Sequence, residues 1–147
     1  MRRGLPPGRR ARLLGAAPAV ACACLLSCRS GPDPDVLAQG QRVYEEYCLS
    51  CHQASGRGVP GMTPTLVESD WVSGDEERLI RVVLEGLEGP IEVNGESFRG
   101  VMGAQPFLTD DEVAAALTWL RQTFGNQAPP ISAERVAGVR ATLQRQR

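Results

Sequence analysis

Cys48-Leu49-Ser50-Cys51-His52 sets two thiols three residues apart, with an imidazole directly after the second. Each thiol can add across a vinyl group to form a thioether. A porphyrin stitched through both sulfurs would therefore be fixed to the backbone with the next imidazole beneath its iron, which is the spacing of covalent c-type haem attachment. Two other chemistries use a Cys-x-x-Cys pair. A structural zinc site needs four ligands, but His52 is the single histidine, and Cys22, Cys24 and Cys28 fall in what reads as a targeting segment. A thiol-disulfide enzyme would carry its pair at a helix start after a strand in a βαβ pattern, and no strand pattern precedes Cys48. Haem attachment is the favoured reading, and dithiol chemistry is the residual alternative.

With one imidazole, a bis-histidine iron cannot be built within one chain, so the second axial position falls to a thioether sulfur. Met1 would leave with a leader, which leaves Met62 and Met102. Met102 is the expected ligand, because it follows a hairpin signal and precedes a well-capped helix, a place where a loop can be held firmly. Met62 is expected to fill core space, as most methionines do.

These residues need elements to position them. Asp33 or Asp35 can cap a first helix with Pro34 in its first turn. Val36, Gly40, Val43, Tyr44 and Tyr47 then recur at helical spacing up to Cys48. Gly40 inside that helix implies that another helix crosses it closely. The glycines and prolines of residues 53–65 exclude regular structure there. Ser73 and Glu76 form a capping-box pair ahead of a second stripe, Leu79, Ile80, Val83, Leu84 and Leu87, interrupted at Gly86. Asn94-Gly95 between Ile91 and Phe98 is a two-residue hairpin signal. Thr109 and Glu112 make a second capping box, Leu108 and Val113 a hydrophobic staple, and Gly125 a left-handed stop, which predicts a helix over 110–124. Val113, Ala116, Leu117, Leu120 and Phe124 should face the core, with Trp119 flanking them and small Ala115 and Ala116 free to meet Gly40. A last helix is expected within Ser132 to Gln144, with Val136, Val139 and Leu143 inward.

Composition bounds the setting. The first 27 residues hold five arginines, no acid and the apolar run Leu13 to Leu26, which is the layout of a secretory signal and too short for a membrane span of about 20 residues. Leu25-Leu26-Ser27-Cys28 resembles the lipobox of bacterial lipoproteins, so residues 1–27 are expected to be removed and Cys28 lipidated. Ordinary cleavage that leaves Cys28 as a spare thiol, or cleavage at the nearby Cys22 or Cys24, is the alternative. Residues 28–34 read as a tether, 35–126 as the folded domain, and 127–147 as a C-terminal extension with a helix. Loss of the leader would leave eleven of the 16 basic residues against 17 acidic ones, a net charge of −6. No lysine occurs anywhere, so a basic face for nucleic acid is excluded as an expectation.

Over about residues 36–126 the chain resembles class I cytochromes c of the small exported bacterial type. Gly40 and Tyr44 match that family's glycine and aromatic on the first helix, and Trp119 matches their aromatic partner on the last. The resemblance implies a mainly α fold, with three to four core helices around a covalently bound haem, a small β excursion and a short C-terminal helix. It also implies that Pro64 offers its carbonyl to the imidazole of His52, that Met102 is the distal ligand, and that one haem c with its iron is the cofactor. The implied role is single-electron transfer between a redox donor and acceptor, in the periplasm or cell envelope, with no bond of a substrate made or broken. Gly103 stands where many relatives have proline after the methionine, and the docking lysines of some relatives are absent. A five-coordinate haem with an open distal position, used for gas binding or peroxide chemistry, is the rival from another class.

Overall fold

The computed structural model describes Met1, Gly4 and residues 31–147. The rest of the expected leader and residues 28–30 of the tether, Cys28 among them, lie outside the described residues. The elements in chain order are α1 (Pro34–Tyr47), α2 (Leu49–His52), α3 (Asp70–Ser73), α4 (Glu76–Glu85), β1 (Leu87–Val93), β2 (Glu96–Met102), α5 (Asp110–Leu120) and α6 (Ala133–Arg145). The fold is mainly α, with one two-stranded antiparallel sheet and a C-terminal helix. Among the described residues no helix is long and apolar enough to cross a membrane.

The main helix pair is α1 against α5, and Gly40 is the reason they approach so closely. A Cβ built at Gly40 would overlap the carbonyl of Ala115 and lie 2.6 Å from the Cβ of Trp119. Asp33 caps α1, its carboxylate accepting from the Asp35 N–H at 2.8 Å, with Pro34 in the first turn as expected. Val36 does not join the inward face. It is exposed, and the buried positions of α1 are Gly40, Val43 and Tyr44. The capping box at Thr109 and Glu112 is present in full at the start of α5.

Three further sequence expectations are corrected in the helices and their ends. The helix predicted over 110–124 ends at Leu120. The chain then turns through residues 121–125, where Phe124 (φ 53°) and Gly125 (φ 79°) both take the left-handed conformation. This turn swings the Phe124 ring back to 5.7 Å from Tyr44 and 5.4 Å from Trp119, so Phe124 packs on the core from outside the helix. The cap of α4 is Asp75, whose carboxylate accepts from the Arg78 N–H at 2.7 Å. Ser73 instead ends the short helix α3, which Ser69 caps. Leu87 opens β1 rather than closing the α4 stripe, because Gly86, at φ 78°, turns the chain out of the helix.

The hairpin is longer than the signal at Asn94-Gly95 suggested. It pairs Leu87 with Met102 at one end and Val93 with Glu96 at the other, so Met102 closes β2. Asn94 (φ 52°) and Gly95 (φ 80°) form the tight primed turn that matches strand twist. The last helix follows expectation, with Ser132 as cap and Val136, Val139 and Leu143 buried.

A candidate haem-binding cavity

Cys48 sits at the junction of α1 and α2, so the helix pair that crosses at Gly40 also fixes where the two thiols emerge. The Cys48 N–H donates to the carbonyl of Tyr44 at 2.9 Å, and the His52 N–H donates to that of Cys48 at 2.9 Å, which holds Cys48, Cys51 and His52 in one helical turn. The chain then leaves the helix at Gln53, a non-glycine residue at φ 65°. Tyr44 holds it there, its hydroxyl donating to the Gln53 carbonyl at 2.6 Å. The following loop closes on itself. Leu66 N–H donates to the Gly56 carbonyl at 2.7 Å, and Gly58 N–H to that of His52 at 3.1 Å. Gly58 lies so close to residues 63 and 64 that an added Cβ would stand 2.7 Å from the Pro64 oxygen.

This loop brings the Pro64 carbonyl to 3.3 Å from Nδ1 of His52. A carbonyl only accepts, so Nδ1 carries the proton in that contact and Nε2 is left with a free lone pair. His52 is buried, and burial holds its pKa below the ordinary histidine value, with the Pro64 bond acting in the opposite direction. Burial, and secondarily the neighbouring Cys51, push the Cys48 thiol up to about 11. A thiol in that state is protonated at neutral pH, unlike the low-pKa thiolate of a thiol-disulfide enzyme. Cys48 and Cys51 are both free, and Cys51 is exposed.

Cys48, Cys51, His52 and Pro64 line one cavity, and Met102 lines the same cavity. The other walls are mostly apolar side chains of the core, among them Leu66, Val72, Leu79, Leu117 and Leu120. A flat apolar ring suits such walls, two free sulfurs at the margin suit vinyl addition, and an oriented imidazole suits iron. The residues present therefore fit haem c. Met62 is corrected. It fills no core but stands 65% exposed, while bordering the cavity, and its carbonyl abuts Gly100 of β2.

Sequence reasoning missed the buried polar ties behind this cavity. Asn126 donates to the carbonyls of Leu66 and Leu120, both at 2.9 Å, and accepts from the Ser69 N–H at 3.0 Å. Arg121 donates to the carbonyls of Pro129 and Val72, at 2.7 and 3.0 Å. Arg140 was missed as well, although it falls four residues after Val136, on the inward face of α6, where a charged residue is itself a signal.

The family model described as Cytochrome c matches residues 37–124. The chain is 38% identical over 113 residues to cytochrome c-552 of Thermus thermophilus, covering 71% of this chain and 86% of that protein. It is 31% identical over 87 residues to cytochrome c-555 of Prosthecochloris aestuarii, covering 57% of this chain and 84% of that protein. It is also 33% identical over 108 residues to the fructose dehydrogenase cytochrome subunit of Gluconobacter japonicus, covering 69% of this chain and 22% of the larger protein.

Proposed function

The chain belongs to the cytochrome c family of electron-transfer haem proteins with covalently bound haem c, and from that premise we propose a single-electron carrier whose iron is held by His52 and Met102. In this reading Cys48 and Cys51 each form a thioether through Sγ, and Nε2 of His52 binds the metal while Nδ1 stays protonated against Pro64. Met102 offers its sulfur from the end of β2. The apolar walls exclude water, which favours the state of lower net charge and raises the potential. When bound, haem c supplies a one-electron ferric/ferrous couple, and the chain itself makes or breaks no substrate bond. Donor and acceptor are redox proteins that meet it weakly and transiently.

One observation carries this proposal: His52 and Met102 line a single cavity whose margin holds both free cysteines. The experiment is an absorption spectrum of the native holoprotein, oxidised and reduced, with and without carbon monoxide. Six-coordinate iron takes carbon monoxide slowly or not at all, and Met102→Ala should open the site to it. Ready binding to the unaltered protein would establish the five-coordinate alternative instead.

The leader over residues 1–27 and the lipobox ending at Cys28 further support export to the periplasm or envelope, with the domain tethered to a membrane by a lipid on Cys28. Cys28→Ser should then move the protein from the membrane fraction to the soluble one.

A further inference from the structure

The loop between Met102 and α5 is irregular and closes only two carbonyls internally, Gly103 on Gln105 Nε2 and Gln105 on the Leu108 N–H, both at 3.3 Å, so its other backbone groups need partners from elsewhere in the fold. On one side the Gln105 N–H donates to the carbonyl of Val83, in α4, at 2.8 Å. On the other stands Arg140 of α6, a helix that begins beyond the segment matched by the family model. Its guanidinium directs three donors to this one stretch: Nη1 to the Pro106 carbonyl at 3.0 Å, Nη2 to the Leu108 carbonyl at 2.6 Å, and Nε to Asp110 Oδ1 at 2.7 Å. Leu108 is itself buried, and α6 is anchored by buried Val136, Val139 and Leu143, so the clamp joins two fixed bodies across the loop.

We propose that Arg140 is a positioning residue for the distal ligand: the C-terminal extension, through this guanidinium, holds the 103–109 loop so that Met102 stays on the iron. The proposal rests on the reading of Met102 as ligand. Opening of the Met102 loop is then gated by the three hydrogen bonds of Arg140, and the planar fork of arginine suits two carbonyls and a carboxylate at once in a way that a lysine ammonium does not. The device lies in the extension and leaves the attachment motif untouched.

The test uses the full-length holoprotein and four forms: unaltered, Arg140→Met, Arg140→Lys and Thr118→Val. Thr118→Val cuts the reciprocal bonds between Thr118 and Ile131 and touches nothing in the loop, so it reports general loosening. The readouts are the sulfur-to-iron charge-transfer band of the ferric protein and the rate of carbon monoxide association with the ferrous protein. Arg140→Met should weaken the band and raise the association rate about tenfold or more, because the rate follows the population of the opened loop. Arg140→Lys should fall between, and Thr118→Val should match the unaltered protein. An unchanged band and rate in folded Arg140→Met, or an equal change in Thr118→Val, overturns the clamp while leaving Met102 as ligand. A missing band and fast carbon monoxide binding in the unaltered protein overturns the ligand reading itself. Should Arg140→Met fail to mature, Arg140→Lys and Asp110→Asn decide by the same two readouts, and no change in either of them sinks the proposal.

Discussion

Residues 48–65 carry His52, and the hydrogen bonds that shape them reach no more than twelve residues along the chain, the longest being from His52 to Pro64. Residues 86–110 carry Met102; their hairpin closes over at most 15 residues, but their ties to the rest of the fold cross 22 residues from Gln105 to Val83, 24 from Asn94 to Asp70, and 30 to 34 from residues 106–110 to Arg140. Both stretches border one cavity. The first is built by neighbours closing on themselves, whereas the second is hung between α3, α4 and α6. Short closures lose little chain entropy and form together, so the His52 side should behave as one unit with α1 and α5, and the Met102 side should open on its own at lower free energy.

The hardest blow to this picture falls on the thiols. In Cys48→Ala with Cys51→Ala, expressed in a host competent in cytochrome maturation, covalent haem should be lost entirely, and the isolated mass should equal bare polypeptide. The cavity is walled by core side chains, so this variant should also lose its cooperative unfolding transition. Retention of a sharp transition without haem would mean that the core stands without its cofactor, and the contrast between the two sides would then owe nothing to the haem.

The next largest effect is expected at Gly40. Alanine there gains about 1 kcal/mol of helix propensity, but its Cβ would strike the Ala115 carbonyl and the Trp119 Cβ, so about 3 kcal/mol of overpacking should win. Gly40→Ala should lower the urea midpoint of the whole domain with the slope unchanged, as befits the shared backbone of α1 and α5. An unchanged midpoint would show that the two helices can part without cost.

What could be read from sequence divides along the same line. Cys48, Cys51 and His52 were legible because their chemistry is written in contiguous residues. Gly40 was legible because glycine weakens a helical stripe, a loss that a close helix crossing can offset. The short helix at Asp70–Ser73, the turn at Phe124 and the roles of Asn126 and Arg140 were not, since each depends on a partner far away in sequence. Asn126, for instance, reaches Leu66 across 60 residues. The end of α5 was misplaced for the same reason. Gly125 does take the left-handed conformation, but Phe124 takes it as well, in a turn where its ring meets Tyr44 and Trp119. A capping rule read along the chain does not see a ring across the core.

The mildest perturbation lies at the hairpin tip. Asn94 accepts from the Asp70 N–H at 3.0 Å through its side chain, donates its own N–H to Asp70 Oδ1 at 3.0 Å, and holds φ 52° at the hairpin tip. Alanine would lose the side-chain acceptor and sit poorly in that left-handed conformation, for about 1 kcal/mol in an exposed turn. If the Met102 side opens independently, Asn94→Ala should speed amide hydrogen exchange in β1 and β2 severalfold, while exchange in α1 and α5 keeps its unaltered rate. Equal acceleration in both places would mean that the hairpin opens only when the domain does, and the two sides of the cavity would then be a single cooperative unit despite their different wiring.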